Sequence, residues 1–212
     1  MTCCDRLGFE RDLWLRGCHR VAGLDEAGRG PLAGPVVAAA VILRPGQDLE
    51  GVADSKVLDP QTRLRLALKL RREALGYGIG WADPAEIDVI NILQATFLAM
   101  RRAVLALCVA PDLLWVDGNR LPSLTGLCPG LSARAIIGGD ASTKVIGAAS
   151  ILAKTTRDTY MNHMDALYPE YGFANHKGYA TPRHLRALEL HGPCEMHRRS
   201  FAPVKSWSTC PP

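Results

Sequence analysis

The chain has no C-x-x-C pair, although it carries seven cysteines, at positions 3, 4, 18, 108, 128, 194 and 210. That absence argues against a zinc ribbon or a dithiol redox motif, and the odd count suits reduced intracellular thiols. There is no long apolar run: the longest, Val36 to Leu43, is far too short to span a bilayer. Residues 1–17 carry charges of both signs and no apolar h-region, so they do not read as a signal peptide. The expected location is the cytoplasm, with no membrane partner. A G-x-S-x-G elbow and a P-loop are both missing, which disfavours a serine hydrolase and a nucleoside triphosphatase. Gly28-Arg29-Gly30 lacks the third glycine and the following helix of a dinucleotide site. No repeat or low-complexity tract is visible.

What is present fits one compact domain. The 212 residues are 48% hydrophobic and 22% charged, which excludes a disordered or collagen-like chain. The net charge is only +4, too weak by itself to indicate a polyanionic partner. Its placement says more. Residues 171–205 hold Lys177, Arg183, Arg186, Arg198, Arg199 and Lys205 against Glu189 and Glu195, so the whole surplus sits near the C-terminus. A neutral body with a basic end is a candidate nucleic-acid footprint, although charge alone favours an ordinary solvated surface.

Patterning predicts strands at Val21 to Leu24, Val36 to Leu43, Tyr77 to Trp81, Leu113 to Val116 and Ala135 to Ile137. Asp59-Pro60 starts a helix to about Leu75, with Leu64 and Leu68 on one face. Asp83-Pro84-Ala85-Glu86 is a capping box. The stripe Ile90, Leu93, Phe97, Met100, Val104 and Leu107 then predicts one long helix. A helix is expected from Val145 to about Leu167, and a last one from Arg183 to His191. Strands mixed with long helices give an α/β class, with strand order open.

Asp25 and Glu26 follow one predicted strand, and Asp117 follows another. Carboxylates are costly to bury unpaired, so a group converging at strand ends needs a counter-charge. A divalent cation with oxygen ligands, Mg²⁺ or Mn²⁺, supplies it. Asp117-Gly118 is by itself also an ordinary turn pair. Ser150, Lys154 and Asp158 share one helix face, with Asp165 close to it; Asp140 is a further candidate. Spacing does not choose among these. A four-carboxylate set without histidine or cysteine ligands suggests metal-assisted phosphoryl transfer.

Leu24-Asp-Glu-Ala-Gly-Arg-Gly-Pro-Leu-Ala-Gly-Pro-Val-Val37 closely resembles the first motif of the bacterial ribonuclease HII family. So do Asp54-Ser-Lys56, Asn91-Ile-Leu-Gln-Ala-Thr96 and Val116-Asp-Gly-Asn119. The likeness continues through Ala148-Ala-Ser-Ile-Leu-Ala-Lys154, Arg157-Asp158, Tyr171-Gly-Phe173, His176-Lys-Gly-Tyr179 and His197-Arg-Arg-Ser-Phe-Ala-Pro203. The resemblance implies a ribonuclease H-like fold: a central mixed sheet flanked by helices, with a C-terminal helical part. It implies endonucleolytic cleavage of RNA in RNA–DNA hybrids and at ribonucleotides embedded in duplex DNA. A two-metal site using Mn²⁺ or Mg²⁺ would leave 5′-phosphate and 3′-hydroxyl ends. The implied catalytic and metal-binding carboxylates are Asp25, Glu26, Asp117 and Asp158, the last taken over Asp165.

The same resemblance places substrate binding on the Gly28, Arg29 and Gly30 backbone and on Tyr179 at the RNA–DNA junction. Lys56, Lys177, Arg198 and Arg199 are expected phosphate contacts that position the duplex without reading sequence. Residues 1–19 form an unassigned N-terminal extension, 20–205 one catalytic domain with a basic C-terminal part at about 171–205, and 206–212 a tail. The chain is expected to act as a monomer. It departs from the family's usual pattern in Ile136-Ile137-Gly138-Gly139-Asp140, where Lys often precedes Gly-Asp, at Val57 and at Thr159. An inactive nucleic-acid-binding repair module is the alternative, disfavoured by the intact carboxylates. A nuclease acting on DNA alone is disfavoured by Gly28-Arg29-Gly30 with Tyr179.

Overall fold

The computed structural model describes residues 8–47, 52 and 58–209. Five strands form one sheet: β1 (Val21–Ala27), β2 (Val36–Ile42), β3 (Gly76–Ala82), β4 (Leu113–Asp117) and β5 (Ser132–Ile136), in the order β3-β2-β1-β4-β5. β1 and β3 run antiparallel to β2, whereas β4 is parallel to β1 and to β5. The helices are α1 (Gly8–Leu15), α2 (Pro60–Glu73), α3 (Pro84–Leu105), α4 (Gly139–Ser142), α5 (Lys144–Leu167), α6 (Phe173–His176) and α7 (Pro182–His191). This is the mixed sheet flanked by helices that the resemblance implied.

Side chains alternate across β1. Val21 enters the core shared with α2 and α5, while Ala22 and Leu24 enter the core under α3. A third core, around Phe173, Tyr171, Leu188 and Met161, joins α5 to the C-terminal part. The expected caps form. Asp59 accepts from the N–H groups of Gln61 and Thr62, and Asp83 and Glu86 close their capping box. Helix α1 lies in the segment left unassigned by sequence. Its Glu10 is fully buried and accepts the N–H of Lys144 at 2.7 Å, giving α5 a cap from far away in the chain.

Two helix expectations are corrected. α3 is interrupted at Asn91, at φ 66° and ψ 163°, and the Asn91 side chain accepts from Leu93 and Gln94 to restart it. Its buried face is Ala95, Ala99, Met100, Ala103 and Val104, with Ile90, Leu93 and Phe97 only half-buried. The reason is the glycine-rich β3, which lets α3 approach so closely that only small residues fit between. A Cβ on Gly78 would stand 2.1 Å from the Ala103 carbonyl oxygen, and one on Gly80 2.0 Å from that of Ala99. On α2, Ala67 and Leu70 are buried, while Leu64 and Leu68 are exposed.

Gly80→Ala therefore overpacks a backbone contact. It is expected to cost about 2–3 kcal/mol, read in thermal melts as a midpoint lower by about 4–12 °C. An unchanged midpoint would mean that α3 is not seated this tightly.

Candidate active site

β1 extends through the acidic pair, so Asp25 and Glu26 are strand residues rather than the start of a turn. Opposite them on β2 lie Ala39 and Ala38. Leu24 of β1 pairs with Val116 of β4, so the next residues along these parallel strands are Asp25 and Asp117. Asp117 closes β4 and accepts the Gly139 N–H at 2.8 Å. A cleft of about 470 Å³ opens here, lined by the Asp25, Glu26, Asp117 and Asp140 carboxylates and by Gly28, Arg29, Gly30, Ser150, Lys154 and Tyr179. A second cleft, lined in part by Arg120, Asn119 and Phe97, shares Glu26, Arg29 and Asp117 with it. The two form a groove on both sides of the acidic residues.

The acids crowd one another. Burial first, then Glu26 and Asp117, push the Asp25 carboxyl well above the usual range, against a hydrogen bond from Ser150. Burial likewise raises Glu26, opposed by the Arg29 guanidinium 3.3 Å away. Lys154 lines the cleft, and Asp158, one turn further along α5, holds its ammonium at 2.7 Å. Among the described residues, no three His, Cys, Asp or Glu side chains are gathered tightly enough to hold a metal ion as they stand. Arg29 on Glu26 and Lys154 on Asp158 currently supply positive charge. The donor set fits a hard divalent cation: oxygen ligands only, crowded, and short of counter-charge.

Asp165 is not at the cleft; it accepts the Ala174 N–H at 3.0 Å and anchors α6. Tyr179 stands at the rim, half-exposed, with its ring 3.6 Å from where a Gly30 side chain would begin. The basic residues divide. Lys56 lies outside the described residues. The Lys177 ammonium is bonded within the C-terminal part, to Asn162 at 2.8 Å and to the Ala174 carbonyl. Arg199 is exposed, with its guanidinium on the Pro193 carbonyl. Arg198 does not meet the expectation of a phosphate contact. It is fully buried, and its guanidinium bonds the carbonyls of Gly28, Arg29 and Gly34. Sequence reading also missed the cleft residues Arg63 and Arg157; Arg157 lay inside a matched motif, but nothing in its spacing marked a role.

A buried histidine pair supports Tyr179 from below. His184 Nδ1 donates to the Tyr179 carbonyl at 2.9 Å, which leaves its Nε2 to accept from His197 Nε2 at 3.0 Å. His197 Nδ1 in turn accepts the Cys194 N–H at 3.1 Å. Each imidazole is thereby wired as one neutral tautomer. Burial pushes His184 down to about 4 and His197 to about 3. Both folded values lie below the ordinary 6.5, so the stability they contribute is complete above pH 6.5 and is lost as pH falls toward the folded values. Hydrogen-exchange protection of residues 181–198 is expected to drop at least about tenfold from pH 7.5 to pH 5, with β2 much less affected. Equal protection at both pH values would show that the imidazoles are not held neutral.

A family model described as Ribonuclease HII matches residues 22–204. The ribonuclease HII of Bordetella pertussis is 54% identical over 187 residues, covering 88% of this chain and 90% of that protein. That of Idiomarina loihiensis is 55% identical over 185 residues, covering 87% and 96%. The solved ribonuclease H2 of Pyrococcus horikoshii superposes with a TM-score of 0.71 at 29% identity, covering 89% of this chain and 96% of that one. With a mixed sheet that sets acidic residues at the ends of β1 and β4, and with these matches over most of its length, the chain belongs to the ribonuclease HII family.

Proposed function

We propose that the chain, beyond the cleavage of RNA in RNA–DNA hybrids that its family membership gives it, incises duplex DNA at single embedded ribonucleotides by two-metal hydrolysis. The observation that carries this reading is the meeting of Asp25, Glu26 and Asp117 in one cleft with Gly28-Arg29-Gly30 and Tyr179 on its rim. Asp25, Glu26, Asp117 and Asp158 would hold Mg²⁺ or Mn²⁺. When bound, such ions supply charge stabilisation and an activated water for phosphodiester hydrolysis.

The chain's own groups do the rest. Arg29 and Lys154 must yield Glu26 and Asp158 for these carboxylates to serve as ligands, and both cations are then free to face phosphate. Only the 2′-hydroxyl separates RNA from DNA at one nucleotide, so selectivity must read it. The exposed backbone at Arg29 and Gly30 has the hydrogen-bonding groups to do so. The Tyr179 ring, laid across Gly30, would pack on the neighbouring deoxyribose and disfavour a second 2′-hydroxyl there. Arg63 and Arg120 line the groove on either side and suit phosphates of the same duplex.

Matched duplexes, one all-DNA and one with a single ribonucleotide, test this in Mg²⁺ and in Mn²⁺. Only the second is expected to be cut, leaving a 5′-phosphate, and a chelator is expected to abolish cutting. Asp117→Asn should retain duplex binding and lose at least about 10³-fold in kcat, on the scale of removing a group that acts as part of a unit. Retained cleavage by that variant at saturating metal would overturn the assignment of the site.

Tyr179→Ala separates recognition from binding. Its kcat/KM on the single-ribonucleotide duplex should fall about 10–100-fold, on the scale of a stacking contact. Duplex affinity should change much less. Equal loss in both would make the tyrosine a structural residue only.

A further inference from the structure

Between β1 and β2 the chain makes a loop at residues 28–35 that carries the glycine rim of the cleft. Two fully buried arginines lie beneath it, Arg157 from α5 and Arg198 from the C-terminal part. Arg198 donates to the carbonyls of Gly28 at 2.5 Å, Arg29 at 2.9 Å and Gly34 at 2.9 Å. Arg157 donates to the carbonyls of Ala33 at 3.0 Å and Pro35 at 2.9 Å, and to Lys177 at 3.0 Å. Every one of these partners is a backbone oxygen. The Leu32 carbonyl is also taken, by the Arg198 N–H at 2.8 Å.

The fit is close. A Cβ on Gly28 would stand 2.0 Å from Arg157 Nε, and Gly28 and Gly34 both sit at positive φ. The Arg198 guanidinium also lies over the Phe201 ring, 5.0 Å from its centroid. Burial and the neighbouring Arg157 lower Arg198 to about 9, so it stays charged at neutral pH. A planar fork that reaches three carbonyls at once is a task for guanidinium and not for ammonium.

In a trans peptide the C=O of one residue and the N–H of the next share a plane and point opposite ways. With the carbonyls of Gly28 and Arg29 drawn inward onto Arg198, the N–H groups of Arg29 and Gly30 are turned the other way, toward the cleft. Released carbonyls would put partial negative charge where phosphate and 2′-hydroxyl oxygens must come. We propose that Arg157 and Arg198 are positioning residues that determine ribonucleotide selectivity: they hold the carbonyl side of the 28–35 loop down, so that its donor side faces the substrate. The proposal deepens the reading above and rests on it for the identity of the substrate.

The test uses the full chain with Arg198→Lys, and with Arg157→Lys as a second, independent variant. Hydrogen exchange reports the amides of residues 28–34. Steady-state kinetics use the single-ribonucleotide duplex, and binding is measured on the same duplex in a chelator. At least one variant is expected to melt cooperatively with wild-type circular dichroism, lose about tenfold or more of its loop protection and keep duplex affinity within about threefold. Its kcat should fall about 10²-fold with KM little changed, as misplacement of groups near the chemistry does. Wild-type loop protection in both lysine variants would overturn the proposal, as would a lower melting point with unchanged kcat. Failure of both lysine variants to fold would make the arginines structural and overturn it too. If the wild-type chain leaves the single-ribonucleotide duplex uncut, the functional reading fails, and the clamp is judged by hydrogen exchange alone.

Discussion

The site depends on a backbone-to-backbone contact between β1 and the start of α5. A Cβ on Gly23 would lie 2.2 Å from the Val145 carbonyl carbon, so only glycine lets the helix settle there. The contact sets the height and phase of α5 over the sheet. Residues four apart on its next turns, Ser150 and Lys154, are then delivered to the cleft beside Asp25. Glu10 and Thr143 close the N-terminus of the same helix with side-chain oxygens. Moving α5 outward by a methyl group would part the helix from the carboxylates on the strand.

Charge is organised in two layers. Carboxylates line the cleft, and burial and their acidic neighbours raise Asp25 and Glu26. Beneath the adjoining glycine loop sit two guanidinium groups satisfied by carbonyl oxygens. Buried charges are tolerated only when hydrogen bonds satisfy them, and six carbonyl contacts do that here. The outcome is a rim with backbone donors outward beside an acidic floor that calls for divalent cations.

Much of the local structure was legible in the sequence. Asp59-Pro60 and Asp83-Pro84 announced two helix starts, because an N-cap followed by proline is a local arrangement. Val36 to Leu43 announced the central strand. The acidic positions stood out because carboxylates interrupt apolar strands there. The faces of α2 and α3 were both misread. Periodicity ranks large apolar residues highest, while glycines on β3 demand alanines at the contact with α3, leaving Ile90, Leu93 and Phe97 at the flank; on α2 the face turned to α5 is Ala67 and Leu70, which leaves Leu64 and Leu68 exposed. Charge left the basic C-terminal segment open between a nucleic-acid footprint and a solvated surface, and Lys177, Arg198 and Arg199 were the expected phosphate contacts in it. In the fold Arg198 is interior, Lys177 is bonded to its own layer and Arg186 pairs with Glu189.

The sequence by itself determined the family, the mixed α/β class and the residue types of the site, since these depend on local pattern and on motifs kept in order. Tertiary structure alone decided which charges meet. Glu10 caps a helix that begins at Lys144, and Arg198 closes on Gly28. Asp165, on α5, serves the start of α6. Such pairings depend on which elements the core brings side by side, and charge along a chain carries no record of burial. An arginine destined for phosphate and one destined for carbonyl oxygens look alike until the fold desolvates one of them.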